Sequence, residues 1–264
     1  MEDFTYHIIS VEKQAAMQTV INDNNHTKMF KGYLSNRDFH RLSEFIQDEC
    51  GIKMPDSKKV MLESRLQKRL RRLGLTSFSE YCDYLFSPAG MENELIHMID
   101  VVTTNKTDFY REPRHFEYLI QKALPELMTK YGAGIRRNLM VWSAGCSTGE
   151  EPYTLAMVIS EFAERCPGLK LRYLILATDI STSVLEKARQ GVYEHHRVKT
   201  IPEEQRKKYL LKSRNREKGL VRIVPELRSS VKFRRLNFLE GNFGMRESMD
   251  IIFCRNVIIY LTGR

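Results

Sequence analysis

The sequence has no cysteine pattern that would build a disulfide framework or a structural zinc site. Its five cysteines, Cys50, Cys82, Cys146, Cys166 and Cys254, are scattered along 264 residues, and none forms a C-x-x-C pair. This pattern favours reduced thiols. No apolar run approaches the roughly 18 residues of a membrane-spanning helix, and the acidic start is unlike a secretory signal. We therefore predict a cytoplasmic protein without a transmembrane segment.

Motifs of hydrolytic and metal-dependent enzymes are also absent. The sequence contains no H-E-x-x-H, no Ser/His/Asp motif and no paired-carboxylate signature, and we expect no bound metal. What it has instead is an excess of positive charge, +9 at pH 7. Such a surface favours anionic partners, which include nucleic acid, a membrane surface and an acidic protein. Composition alone does not choose among these three.

Helical periodicity dominates the first part of the chain. Residues 1–33 show only weak periodicity and are predicted to form a variable extension. Beyond them, apolar residues recur at helical spacing, with Ser35 as a candidate helix start and Gly51 and Gly74 as candidate helix ends. The sequence therefore predicts an all-helical domain over residues 34–102.

Short apolar runs alternate with helical patterns in the second part, residues 103–264. The predicted strands cover residues 139–142, 171–177, 219–224, 231–236 and 249–254. Strand–helix alternation indicates a parallel sheet with helices on both faces, the α/β class. Residues 209–233, approximately, interrupt this rhythm and are predicted to form a small antiparallel β insert.

A glycine-containing turn, residues 143–153, is the strongest local feature. Gly145 and Gly149 allow backbone to approach a ligand closely, and the helix that follows offers free N–H groups. Asp179 comes just past the next strand, where an acid can accept the ribose hydroxyls of an adenosine cofactor. The turn lacks G-x-G-x-x-G, and its distance from Asp179 exceeds the roughly 20 residues of the dinucleotide fingerprint. These facts favour an adenosine ligand other than NAD, although a plain tight turn and a helix-capping Asp179 remain alternatives.

Five segments in a fixed order resemble the CheR family of chemotaxis protein methyltransferases. They are Thr103-Thr104-Asn105-Lys106-Thr107-Asp108-Phe109-Tyr110-Arg111, the turn at 143–153, Asp179, the pair Asn237-Phe238, and Phe253-Cys254-Arg255-Asn256-Val257-Ile258-Ile259-Tyr260. The resemblance covers about residues 34–264. It implies a Rossmann-like class I methyltransferase domain that uses S-adenosylmethionine. It also implies a substrate: glutamate side chains of methyl-accepting chemotaxis receptors, which become methyl esters.

The same resemblance implies a set of cofactor-binding residues. They are Asn105, Thr107, Arg111, Glu151, Asp179, Asn237, Phe238, Arg255 and Asn256. Asp179 would take the ribose, Asn237 and Phe238 the adenine, and the segment 105–111 the methionine side. Arg111 and Tyr260 would lie nearest the transferring methyl group and are the implied catalytic residues. Taken singly, each also has an ordinary structural interpretation as a loop or core residue.

A strongly basic helix is predicted over residues 57–73, with seven basic residues against one acid. Arg65, Lys68, Arg69 and Arg72 follow i, i+3, i+4, i+7 spacing, which predicts one shared face. A solvated surface is the simpler interpretation, but the charges lack the usual mixture of signs. The resemblance implies that the acidic receptor is bound by Arg65, Lys68, Arg69 and Arg71. In some family members the β insert binds a peptide at the receptor's C-terminus, which the sequence leaves open here.

Two rival functions remain at this point. A nucleic-acid methyltransferase would suit the positive charge, but base-amino methylation usually shows N/D-P-P-Y/F where residues 254–257 read Cys-Arg-Asn-Val, so nucleic acid is not the expected partner. The other rival is a non-catalytic relative that binds only cofactor or receptor. The family continues with a helix and three strands beyond residue 264, so we expect the sheet to be incomplete, with strand 250–254 at an exposed edge.

Overall fold

The computed structural model describes residues 32–166, 168, 170–215, 219–245 and 247–257. Most of the extension predicted at residues 1–33 lies outside this range. The described chain forms three hydrophobic clusters, one in the helical part and two in the α/β part. None of its helices is long and apolar enough to cross a membrane.

The first core belongs to an all-helical domain. Its helices are α1 (Asn36–Cys50), α2 (Lys59–Leu73), α3 (Phe78–Leu85), α4 (Pro88–Asn93) and α5 (Leu95–Val102). Ser35 caps α1 by accepting the N–H of Asp38 at 3.0 Å, and α1 ends at Gly51 with a φ of 70°, both as predicted from the sequence. α3 ends at Leu85, and Ser87 accepts the N–H of Gly90 and begins α4.

The α/β domain follows with alternating elements. In chain order they are α6 (Arg114–Tyr118), a π-helical turn (Leu119–Ala123), α7 (Leu124–Tyr131), β1 (Leu139–Ala144), α8 (Glu150–Glu164), β2 (Tyr173–Asp179), α9 (Thr182–Gln190), β3 (Val192–Glu194), a 3₁₀ turn (His195–Val198), α10 (Glu203–Tyr209), β4 (Leu210–Lys212), β5 (Leu220–Ile223), α11 (Pro225–Ser229), β6 (Val231–Arg235) and β7 (Ile251–Phe253). The elements form two separate sheets.

The large sheet is parallel and has the order β6-β2-β1-β7. Every residue of β1 is buried, because helices cover both faces of a central parallel strand. Strand β7 lies at one edge of the described sheet, where Ile252 is 56% exposed. Adjacent carboxyl ends of β1 and β2 bring the glycine turn beside Asp179, and this end of the sheet positions the site.

The small sheet is antiparallel, with the order β3-β5-β4. It confirms the predicted β insert, but the boundary of about 209–233 was wrong at both ends. The insert already begins with β3, a strand that the sequence analysis did not identify. Strand β6 pairs with β2 in the large sheet and so does not belong to the insert.

Candidate functional site

A cleft of about 1040 Å³, open to solvent, lies between the helical domain and the carboxyl ends of β1 and β2. Residues from the α1–α2 region form the helical side of its wall: Cys50, Ile52, Met54, Lys58 and Met61. The segment 102–107 crosses from one domain to the other along the cleft. Polar and apolar groups therefore meet in one concave surface, as in most small-ligand sites.

All nine residues predicted to bind a cofactor line this single cleft. They are Asn105, Thr107, Arg111, Glu151, Asp179, Asn237, Phe238, Arg255 and Asn256. They come from five separate parts of the chain, so their convergence is a property of the fold. Tyr260, the other predicted catalytic residue, lies outside the described residues.

The glycine turn joins β1 to α8 and is tied to the end of β2. The N–H groups of Gly145 and Cys146 both donate to the carbonyl of Thr178, at 2.8 and 2.9 Å. Gly145 has a φ of 78°, and a Cβ there would lie 2.3 Å from Cγ2 of Val257. The glycine is thus required by the close approach of Val257 as well as by its backbone angle.

Asp179 is a buried carboxylate, only 7% exposed, at the end of β2. Its oxygens accept the N–H groups of Ser147 at 2.8 Å and Ser181 at 3.0 Å. Burial raises the pKa of Asp179, and these backbone hydrogen bonds oppose that shift. Since an ionised carboxylate offers about four acceptor positions, Asp179 can also accept a hydrogen bond from a ligand that carries hydroxyl groups.

Glu151 and Arg255 form an ion pair on another wall of the cleft. Arg255 donates from Nε to Glu151 Oε2 at 2.7 Å and from Nη1 to the carbonyl of Arg111 at 2.7 Å. The other Glu151 oxygen accepts the hydroxyl of Ser143 at 2.7 Å. Burial raises the pKa of Glu151, whereas the positive charge of Arg255 lowers it. The pair connects α8, the end of β7 and the loop that carries Arg111.

The loop 103–111 is fixed by hydrogen bonds to its own backbone and to the glycine turn. The carbonyl of Asn105 accepts the hydroxyl of Ser147 at 2.8 Å, and Arg111 donates to the carbonyl of Lys106 at 3.0 Å. Tyr110 and Glu112, on either side of Arg111, both have a φ of 55°. Left-handed backbone at residues other than glycine costs free energy and often marks a functional site.

Asn237 and Phe238 line the cleft, but the Asn237 side chain already has partners within the protein. Its Nδ2 donates to the carbonyl of Glu49 at 2.7 Å, and its Oδ1 accepts the N–H of Leu239 at 3.1 Å. The ring of Phe238 packs near Trp142, with centroids 6.1 Å apart. Asn237 therefore joins the end of α1 to the α/β domain, and Phe238 offers an aromatic surface beside it.

Two of the four basic residues predicted to share a face of the helix that is now α2 are engaged in contacts within the protein. Arg69 is 7% exposed and donates to both carboxylate oxygens of Glu94, at 2.8 and 2.6 Å. Arg65 donates to the carbonyls of Val102 and Thr103, at 2.6 and 3.0 Å, and so caps the end of α5. Arg69 lies three residues after Leu66 and is buried together with Leu62, Leu66 and Leu70 of the same helix.

Lys68 and Arg71 are the two exposed members of the four residues predicted to bind the receptor. Two residues at the start of the same helical segment, Lys58 and Met61, line the cleft and were not predicted to belong to the site. Their i, i+3 spacing could have identified a second face of this segment. Within the described ranges, no group of three or more His, Cys, Asp or Glu side chains could hold a metal ion.

A parallel sheet with a glycine turn after one strand and a buried acid after its neighbour is typical of Rossmann-like domains that bind an adenosine cofactor. Residues 105–264 match the family described as "CheR methyltransferase, SAM binding domain". Residues 37–103 match "CheR methyltransferase, all-alpha domain". The chain belongs to the CheR methyltransferase family, and S-adenosylmethionine is the methyl donor that its second domain indicates.

Curated relatives agree with this assignment. The chain is 40% identical over 220 residues to the chemotaxis protein methyltransferase of Borreliella burgdorferi, covering 83% of this chain and 76% of that protein. It is 40% identical over 227 residues to the Escherichia coli chemotaxis protein methyltransferase, covering 86% and 75%. Chemotaxis protein methyltransferase 2 of Pseudomonas aeruginosa is 39% identical over 229 residues, with 86% and 77% covered.

Proposed function

We propose that the protein transfers the methyl group of S-adenosylmethionine to glutamate carboxylates of methyl-accepting chemotaxis receptors. The observation that carries the proposal is the cleft itself, whose lining includes the buried carboxylate of Asp179 as well as Lys58 and Met61 from the basic helical segment. The names of the relatives support a role in chemotaxis. An acidic protein substrate fits the net charge of +9.

The residues of the cleft fit the donor. The carboxylate of Asp179 suits the ribose hydroxyls as a hydrogen-bond acceptor, and Phe238 provides an aromatic surface suited to a purine. Arg111 lines the cleft, and its planar guanidinium can donate hydrogen bonds to the carboxylate of the donor's methionine part. When bound, S-adenosylmethionine supplies a methyl group on a positively charged sulfur, and transfer to a carboxylate cancels one charge of each sign.

The protein's own part in this reaction is to bind, align and exclude water. A glutamate carboxylate has a pKa of about 4.3 and is already ionised at neutral pH, so no side chain has to remove a proton. The Glu151–Arg255 ion pair holds the backbone of Arg111 in place, and the segment 102–107 closes one side of the cleft. Such alignment can lower the barrier substantially without acid–base catalysis.

Replacing Arg111 is expected to slow the methyl-transfer step. Arg111 is proposed to lie near the transferring methyl, together with Tyr260. Misplacement by about 1 Å can cost about 100-fold in rate, so kcat for Arg111→Ala should fall by about that factor. Steady-state kinetics would measure it, and the melting temperature should fall much less. Wild-type kcat in Arg111→Ala and in Tyr260→Phe would contradict a role for either residue in this step.

Reversing the exposed charges of α2 is expected to weaken receptor binding. Lys68→Glu with Arg71→Glu should raise the receptor KM by about tenfold, because like charges would then face the acidic substrate. The affinity for the methyl donor should not change. As a control, Lys122→Glu with Arg165→Glu makes the same change in net charge at exposed positions elsewhere. It should change neither the receptor KM nor the affinity for the methyl donor. An equal rise in KM for the two pairs would mean that only net charge matters.

The decisive test of the proposed function is the transfer of labelled methyl groups. Receptor-containing membranes would be incubated with the protein and methyl-labelled S-adenosylmethionine, and the labelled receptor treated with alkali. Release of the label as methanol identifies an ester on a carboxylate. Label on RNA or DNA would support the nucleic-acid rival, and donor binding without transfer to any substrate would support the non-catalytic one.

A further inference from the structure

The small sheet and its connections contact both loops that line the cleft. Tyr193 of β3 donates its hydroxyl to the carbonyl of Thr148 in the glycine turn, at 2.7 Å. Its ring packs edge-on against Phe109, with centroids 5.0 Å apart. Gly149 leaves room for this hydroxyl, since a Cβ there would lie 2.9 Å from it. The insert is thus packed directly against the cleft's supporting backbone.

Arg197, in the turn that follows β3, makes the second contact. Its Nη2 donates to the carbonyl of Thr107 at 2.8 Å and to Glu150 Oε1 at 2.6 Å. Glu150 is 1% exposed and is the first residue of α8. Its other oxygen accepts the hydroxyl of Thr148 at 2.6 Å. One guanidinium nitrogen therefore joins the loop 103–111 to the helix start behind the glycine turn.

A third contact comes from α10. Gln205 accepts the hydroxyl of Tyr110, the left-handed residue that precedes Arg111. The N–H of Tyr110 donates to Thr154 of α8 at 3.3 Å. A strained backbone persists only where its surroundings hold it, and here the insert supplies part of that restraint.

We propose that Arg197 is a positioning residue for the methyl-donor cleft, through its bonds to Thr107 and Glu150. This inference rests on the proposed function, because it takes the cleft to be the donor site. Arg197 itself lies outside the cleft lining. Its charge neutralises a buried carboxylate, which would otherwise be strongly destabilising. Its bond to Thr107 keeps one cleft wall in place before the ligand arrives, and such preorganisation raises affinity.

The test separates positioning from stability with two variants. Arg197→Met should weaken binding of S-adenosylhomocysteine, measured by calorimetry, by about tenfold. It also leaves Glu150 without its cation, so its melting temperature should fall. Arg197→Met with Glu150→Gln removes that uncompensated charge and should recover much of the melting temperature. The affinity of this double variant should stay low, because the carbonyl of Thr107 still lacks the hydrogen bond that Arg197 donates in the wild type. Arg197→Lys should restore part of the affinity.

Lys208→Met is the matched control. Lys208 also ties the insert to α8, through Glu161 at 2.8 Å and Glu164, but it does not contact the cleft loops. Its affinity should equal that of the wild type. Wild-type affinity in the folded double variant would overturn the proposal and leave Arg197 a structural role only.

Hydrogen exchange of the amides at 104–111 provides a readout that needs no ligand. Exchange there should be faster in the double variant than in the Lys208→Met control, and equal exchange would also overturn the proposal. A wild-type protein that binds no S-adenosylhomocysteine would refute the proposed function. The exchange rates would still decide whether Arg197 positions the loop.

Discussion

Asp179→Ala is expected to weaken S-adenosylmethionine binding by about 100-fold or more. Hydrogen bonds to a charged group contribute about 1.5–3 kcal/mol each, and the variant removes the acceptor of two ribose bonds. It also frees the N–H groups of Ser147 and Ser181, which Asp179 holds at 2.8 and 3.0 Å. Calorimetry with the donor or with S-adenosylhomocysteine would measure the change.

Stability should change much less than affinity in this variant. Because burial raises the pKa of Asp179, the folded protein binds its proton more tightly than the unfolded chain does. The contribution of Asp179 to stability therefore falls as the pH rises from about 3.8, the unperturbed pKa, to the raised pKa of the folded protein. Above the raised pKa the buried charge is fully formed and its cost in stability is complete. Removing this buried charge offsets part of the loss of two backbone hydrogen bonds.

Glu186→Ala is a suitable control, since Glu186 is an exposed acid on the neighbouring α9. It should bind the donor as the wild type does. Unchanged affinity in a folded Asp179→Ala protein would remove Asp179 from the proposed site. A pH series adds a second check, because wild-type affinity should decline as the pH falls toward the raised pKa of Asp179. If that titration produces the decline, Asp179→Ala should lack it.

Helix ends could be predicted from the sequence because they depend on local chemistry. Ser35 and Gly51 satisfy the first and last backbone groups of α1 whatever the rest of the chain does. The small sheet depends on distant partners instead. β3 has three residues and pairs with a strand near residue 220, and such a short run carries no clear periodicity.

The cleft lining could be predicted because residues that follow neighbouring parallel strands must meet at the same edge of the sheet. Asp179 and the glycine turn meet for this reason, and their contact through Ser147 is direct. The supporting residues could not be predicted in the same way. Arg197 acts on Thr107, 90 residues away in sequence, and nothing in the local pattern around it indicates that partner.

The basic helix α2 shows that a charge pattern in the sequence does not predict the interaction partners of the charged side chains. A helical wheel places Arg65 and Arg69 beside Lys68, but it does not predict which of these side chains forms an ion pair with an acidic residue elsewhere in the chain. Arg69 finds Glu94, 25 residues further on, and the hydroxyl of Tyr81 completes the cluster at 3.1 Å from Glu94. Periodicity locates a residue on a helix, whereas its partner depends on how the helices pack.

Arg69→Met is accordingly expected to destabilise the helical domain and not to act on the receptor directly. Glu94 is 1% exposed, and the variant would leave its charge buried without a neutralising cation, with only the hydroxyl of Tyr81 still donating to it. Removing one member of a buried ion pair typically costs about 3–5 kcal/mol. Urea unfolding of the variant should show a loss of that size.

The double variant Arg69→Met with Glu94→Gln tests the cause of this loss. Replacing both charges removes the uncompensated carboxylate, and such replacements are often neutral or stabilising, so most of the lost stability should return. Arg72→Met, an exposed neighbour on α2, should change stability by no more than about 0.5 kcal/mol. A loss in Arg69→Met no larger than in Arg72→Met would contradict the buried pair. If the stable double variant also keeps the wild-type receptor KM, the role of Arg69 is structural and its charge does not contribute to receptor binding.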